Sequence, residues 1–191
     1  MIHSVAVFCG SRTGNDPAYV AAARALGQGL ARAGMRLVYG GGRVGLMGVT
    51  ADAALDAGGE VLGVIPEFLQ RREVAHERVR TMVVTPSMHV RKHGMFEAAD
   101  AFVTLPGGIG TLDETIEIIS WRQLGLHDKP ILVCDVHGSA EPFRLALEAT
   151  IRMGFADAAT AKLYEFLPGV DAVLARLAEL GPGPGADADR L

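Results

Sequence analysis

Residues 100–120 read DAFVTLPGGIGTLDETIEIIS. A short apolar run ends in a proline and two glycines, and a third glycine follows at position 110. Thr111 and a pair of acids then lead into a helix-like pattern, with Leu112, Ile116 and Ile119 recurring at helical spacing up to Gly125. This spacing predicts a strand over 100–108 and a helix that starts near Gly110 or Thr111. Glycine loses more conformational freedom on folding than any other residue. Gly107, Gly108 and Gly110 placed so close together therefore mean that something there needs bare backbone.

The same alternation extends in both directions. SVAVFCG (4–10), RLVYGGG (36–42), EVLGVIP (60–66), RTMVVTP (80–86) and KPILVCD (129–135) are short runs rich in Val, Ile or Leu with little polar alternation. That is the composition of strands buried on both faces, as in a parallel sheet. Helical patterns separate them. Asp16 caps the first and Pro17 takes its first position. Ala23, Leu26, Leu30 and Ala33 follow at helical spacing before Gly34 closes it. Further helices are predicted over about 45–57, from Thr85-Pro86 to about 99, and over roughly 139–152 and 169–180. The expected fold is a single Rossmann-like α/β domain over residues 1–181, a doubly wound, mainly parallel sheet with helices on both faces. Residues 182–191 carry no apolar pattern and are expected to be a disordered tail.

Composition narrows the function classes. The chain has 191 residues, is 49% apolar and carries a net charge of −4. That charge gives no support for nucleic-acid binding, so any anion site must be local. No apolar run approaches the ~20 residues of a membrane span. The start, MIHSVAVFCGS, reads as a strand and not as a secretory leader. Cys9 and Cys134 each end a strand-like run outside any CxxC pattern, so reduced core thiols and a cytoplasmic location are expected.

Two strands end in glycine turns that open helices, YGGGRVGLMG (39–48) and LPGGIGTLDE (105–114). Beyond the carboxyl ends of strands, a helix amino terminus with unpaired N–H groups suits phosphate, and glycines let the backbone approach its oxygens. The plainer alternative is that these glycines only make tight turns. GxxxxGK[ST] and GxGxxG are absent, which disfavours triphosphate hydrolysis and simple dinucleotide binding.

Thr111-x-x-Glu114 matches a capping box, a structural role for Glu114. The functional alternative has Glu114 facing the pocket, with Glu117 and Ser120 following on nearly the same face. In SMHVRKHGMFEAAD (87–100), Met88, Arg91, Met95 and Ala99 share one stripe. Arg91 there either is buried against an anion or snorkels to the surface. Gly94 inside this helix has only close packing to suggest for it. His89 and His93 stand at i, i+4 without a third ligand, and no metal site is expected.

Together PGGIGTLDE, SMHVRK, YGGGRVGLMG and the opening FCGSRTG resemble the Lonely Guy family, the cytokinin riboside 5′-monophosphate phosphoribohydrolases often mislabelled lysine decarboxylases. The resemblance covers about residues 2–180. Pro106, Gly107, Gly108, Gly110, Thr111 and Glu114 fill every fixed position of PGGxGTxxE. It implies hydrolysis of the N-glycosidic bond of AMP or cytokinin riboside 5′-monophosphates, without a cofactor, by a homodimer whose active site lies near the interface. Arg91 and Glu114 are the implied catalytic pair. Gly107, Gly108, Ile109, Gly110 and Thr111 are the implied phosphate loop. Lys92, Glu73 and Ser120 are implied substrate ligands, and Ser11, Gly42, Met88 and Glu117 are taken with them. Two rivals stand beside this reading. One is a non-catalytic nucleotide or cofactor carrier. The other is a pyridoxal phosphate decarboxylase using Lys92, for which the chain is too short and lacks a second domain.

Overall fold

The computed structural model describes residues 2–70 and 75–181. Seven strands form one sheet: β1 (Ser4–Phe8), β2 (Arg36–Tyr39), β3 (Val61–Pro66), β4 (Thr81–Thr85), β5 (Ala101–Thr104), β6 (Ile131–Asp135) and β7 (Glu165–Pro168). Their order is β4-β3-β2-β1-β5-β6-β7, and every pairing is parallel. The helices are α1 (Pro17–Arg32), α2 (Gly45–Asp56), the short α3 (Glu67–Leu69), α4 (Met88–Glu97), α5 (Ile109–Gln123), α6 (Glu141–Arg152) and α7 (Val170–Leu180).

The chain starts at the centre of the sheet, winds outward to β4, and returns through α4 to place β5 on the free side of β1. Strand side chains alternate between two cores. Val5 and Val7 of β1 pack with Leu26 of α1, Leu46 of α2 and Leu177 of α7. Ala6 and Phe8 pack with Met95 of α4, Ile119 of α5 and Phe143 of α6. Reversal of the winding direction puts α1 and α2 on one face and α4, α5 and α6 on the other, as right-handed crossovers require. The predicted doubly wound fold is the observed one.

Local signals set several boundaries. Asp16 Oδ1 accepts a hydrogen bond from the Ala18 N–H at 2.8 Å, with Pro17 first in the helix. Ser87 Oγ accepts from the Val90 N–H at 3.3 Å and starts α4. Strands β1, β2 and β5 stop at Phe8, Tyr39 and Thr104, short of their predicted ends, because the glycines that follow leave the ladder to build loops. Strand β7 was not expected. It is a four-residue edge strand ending in Pro168, with no apolar run to announce it.

The apolar face predicted for α5 is corrected. Ile119 is buried, but Leu112 and Ile116 are exposed, and Thr111, Thr115 and Ile118 take the core positions instead. Close packing does not explain Gly94 either, since a Cβ there would meet only Val64 Cγ1 at 3.6 Å, an ordinary contact. Both cysteines are free and buried. The expected tail, 182–191, lies outside the described residues.

Candidate active site

The winding direction reverses between β1 and β5, and their carboxyl ends part to leave a cleft of about 690 Å3. Ser11, Tyr19, Gly107, Gly108, Ile109 and Ser139 are among its walls. A larger cavity, about 900 Å3, lies at the amino ends of β3 and β4, among Arg36, Glu60 and Arg80. The smaller one stands where open α/β sheets place ligands, at the switch point beyond the strand carboxyl ends.

Three of the glycines around this cleft serve the protein's own packing. The Gly10 N–H donates to the Pro106 carbonyl at 3.1 Å, and the Leu46 N–H donates to the Gly10 carbonyl at 2.9 Å, so the two loops and the start of α2 are tied together. A Cβ on Gly107 would sit 2.1 Å from Thr111 Oγ1, one on Gly10 2.9 Å from the Arg12 carbonyl oxygen, and one on Gly45 2.3 Å from the Ser11 carbonyl carbon. Gly108 and Gly110 are different. A Cβ on either meets nothing within 4 Å, and neither has a positive φ. The chain itself does not need glycine at these two exposed positions, so the space they keep open faces outward. Gly108 is the N-cap of α5 and offers no side-chain cap. The first helical bond runs from the Leu112 N–H to the Gly108 carbonyl, which leaves the amides of Ile109, Gly110 and Thr111 ahead of the ladder. Unpaired amides at a helix amino terminus suit an anion.

The helix start removes one of the two roles open to Glu114. Thr111 is the third residue of α5 and not its cap, so no capping box forms. Glu114 instead turns to α4, where Arg91 Nη1 donates to Glu114 Oε1 at 2.9 Å. The two side chains are 8% and 11% exposed, so Arg91 is the buried guanidinium with an anionic partner and does not snorkel. Arg91 Nε donates to the Val64 carbonyl at 3.1 Å. The guanidinium lies against Gly40 just past the end of β2, where a Cβ would fall 2.0 Å from Nη2. Cys9, at the end of β1, lies close enough to feel both charges. Burial first, and then the Glu114 carboxylate, push its thiol up to about 12, against the weaker pull of Thr50 and Arg91.

Lys92 is held on the same side by Asp113 at 2.6 Å and Glu117 at 3.5 Å. Burial alone would lower its pKa, but the hydrogen bond to Asp113 and the charges of Glu117 and Asp113 outweigh it and hold the ammonium above its ordinary value. Thus α4 and α5 meet through Arg91, Lys92, Asp113, Glu114 and Glu117. Other predicted residues are less central. Met88 opens α4 one turn before Arg91. Gly42 is buried and bridges Ala75. Ser120 lies six residues past Glu114, about 9 Å along the helix, and joins neither the cleft nor the buried pair. Glu73 lies outside the described residues. Sequence reasoning missed Arg12 on the cleft wall, Gly40 and Asp113. Only the YGGG cluster hinted at Gly40.

Comparison with known proteins fits this geometry. A family profile described as possible lysine decarboxylase matches residues 47–177. A probable cytokinin riboside 5′-monophosphate phosphoribohydrolase of Oryza sativa subsp. japonica is 42% identical over 93% of this chain and 77% of its own. The cytokinin riboside 5′-monophosphate phosphoribohydrolase of Rhodococcoides fascians is 46% identical over 82% of this chain and 80% of its own. Among solved structures, the molybdenum cofactor carrier protein of Chlamydomonas reinhardtii superposes with a TM-score of 0.68 at 21% identity, over 93% of this chain and 96% of that one. The molybdenum cofactor binding protein of Rippkaea orientalis gives 0.70 at 19%, with the same coverage. At that identity the structural likeness concerns the fold alone.

Proposed function

We propose that this chain, which belongs to the Lonely Guy family of cytokinin riboside 5′-monophosphate phosphoribohydrolases, hydrolyses the N-glycosidic bond of adenosine-type 5′-monophosphates to free base and ribose 5-phosphate. One observation carries the reading beyond relatedness. The uncapped amides of Ile109, Gly110 and Thr111 and the mostly covered Glu114 side chain stand on one helix, about one turn apart. Such a helix holds a phosphate at its tip and sets a carboxylate beside the sugar that follows.

The chemistry follows from that placement. The phosphate seats on the α5 amides and fixes the ribose. As the bond to the base breaks, positive charge develops on the sugar ring, as in glycoside hydrolysis. The Glu114 carboxylate stabilises that charge and either orients the attacking water or bonds transiently to the anomeric carbon. Arg91, itself anchored by the Val64 carbonyl, fixes the Glu114 rotamer. Water supplies the hydroxyl of ribose 5-phosphate and the proton that leaves with the base.

The decarboxylase label finds no fitting lysine. A Schiff-base lysine must be readily deprotonated, and Lys92 is held protonated by two carboxylates. Lys129 lies before β6, at the opposite end of the sheet, with its ammonium on the Phe96 carbonyl and ring. Lys162 lies in a 3-10 turn before β7. A homodimer with the active site near its interface belongs to the same reading. It is supported by exposed Val90, Leu112 and Ile116 on the helices that carry the pair, and by Val83 and Val84 on edge strand β4. Two free buried thiols support a cytoplasmic setting. No described helix is long and apolar enough to cross a membrane.

The test is incubation with AMP, isopentenyladenosine monophosphate and the unphosphorylated riboside, with free base followed by chromatography. Base is expected from the monophosphates alone, and Glu114→Gln should fold normally yet lose turnover. AMP bound but unchanged would replace the enzyme with a carrier.

A further inference from the structure

The proposed substrate brings a phosphate dianion to this cleft, and the cations assigned to the site so far are already engaged. Arg91 is ion-paired with Glu114, and Lys92 with Asp113 and Glu117. His137, near the cleft rim, is bound to Asp16 at 2.9 Å. The α5 amino terminus contributes the equivalent of about half a positive charge, which leaves most of the dianion uncompensated.

Arg12 answers this deficit. It is the one cationic side chain among the described residues that line the cleft, and it also lines the adjoining hollow with Thr13, Asn15 and Gly45. Its guanidinium makes no hydrogen bond or ion pair among the described residues, unlike Arg36, Arg43, Arg78, Arg91, Arg122, Arg144 and Arg176. Among the described residues Arg24, Arg32, Arg80 and Arg152 are also untied, but none of them lines the cleft. Its backbone is clamped. A Cβ on Gly10 would lie 2.9 Å from the Arg12 carbonyl oxygen, and one on Gly45 would lie 2.4 Å from the Arg12 nitrogen. A fixed backbone with a free guanidinium, lining the same cleft as Gly108 and Ile109 at the start of α5, is a cation held in reserve for an anion.

We propose that Arg12 is the cation that pairs with the substrate's 5′-phosphate and thereby sets the preference for nucleotide over nucleoside. The inference rests on the phosphoribohydrolase reading for the identity of the ligand. A guanidinium suits the role because it presents parallel N–H donors to two phosphate oxygens at once.

The experiment titrates AMP and adenosine by calorimetry into Glu114→Gln, in which AMP stays intact, and into the double variant that also carries Arg12→Ala. Loss of a charge-assisted contact should weaken AMP roughly tenfold to hundredfold and leave adenosine unmoved. Arg12→Lys should restore part of the difference, as a point charge without the fork. Unchanged AMP affinity, or an equal loss for adenosine, overturns the assignment. Base release by the wild-type protein is scored separately. Its absence would defeat the hydrolase reading, while the AMP titration would still decide what Arg12 holds.

Discussion

A missing Cβ decides whether Arg91 can stand where it does. The guanidinium fills the space that any side chain at position 40 would take, since a Cβ there would fall 2.0 Å from Nη2. Gly40→Ala should therefore push the guanidinium off Glu114 and reproduce the activity loss of Arg91→Ala, although position 40 carries no functional group. Gly108→Ala is the contrasting case. Its Cβ meets nothing in the protein, so the melting temperature should hold while nucleotide affinity falls. Turnover, AMP affinity and thermal unfolding of the two variants check this. A fully active Gly40→Ala would show that the guanidinium has another place to go. Arg91 was legible in the sequence as a charge on an apolar stripe, which left it either buried against an anion or snorkelling to the surface. Its partner was named only by the family resemblance, which implies Arg91 and Glu114 as a pair, and not by the residues alone. Glu114 lies on another helix and also matched a local capping pattern, and only the helix start at Ile109 removes that alternative. The need for Gly40 was equally hidden, because a run of three glycines does not say which of them something leans on.

At the scale of one element, α5 carries both ends of the proposed site, so its seat on the sheet matters. Thr115 Oγ1 donates to the Thr111 carbonyl at 2.7 Å. Its one proton is then used, so the 2.8 Å contact with Thr104 Oγ1 on β5 has Thr104 as donor. This buried chain fastens the first turns of α5 to β5. Thr115→Val keeps the shape but leaves the Thr104 hydroxyl without its acceptor, at a cost of about 1–3 kcal/mol. Thr115→Ser should recover most of that, as read by urea unfolding. An unchanged midpoint for Thr115→Val would mean that the chain holds nothing. The same chain explains the misread face of α5. Periodicity counts threonine as polar, yet a threonine that bonds the carbonyl one turn back can face the core. Once Thr111 and Thr115 face inward, Leu112 and Ile116 must face out. By contrast, α1 was legible nearly to the residue because its signals, Asp16, Pro17 and Gly34, are local and mutually consistent.

For the whole molecule, the alternation of buried strands and helices was enough to give the sheet, and the sheet gives the site, because the switch point follows from winding direction and needs no knowledge of side-chain contacts. Edge strand β7 escaped because an edge needs less apolar surface. The sheet also buries both thiols at strand ends, and this has a consequence for stability. Cys134 is pushed up to about 12 by burial and by the charge of Asp135, against a hydrogen bond from the Gly169 backbone. Cys9 is pushed equally far. The unfolded thiols ionise near their ordinary value of 9.0. Between about pH 9 and 12 the unfolded chain therefore loses protons that the native chain keeps. Both contributions are complete below pH 9 and fade as the pH rises, each by up to about 1.4 kcal/mol per pH unit. Burial raises Tyr39 as well, which extends the same trend to higher pH. Unfolding free energies of the wild type and of Cys9→Ala/Cys134→Ala, measured in urea from pH 8 to 10.5, should diverge in slope. The wild type should fall more steeply with pH even if the double variant is the less stable protein at pH 8. Parallel slopes would mean that the native thiols ionise as readily as the unfolded ones, and that the strand ends around Cys9, beneath the Arg91–Glu114 pair, are open to water.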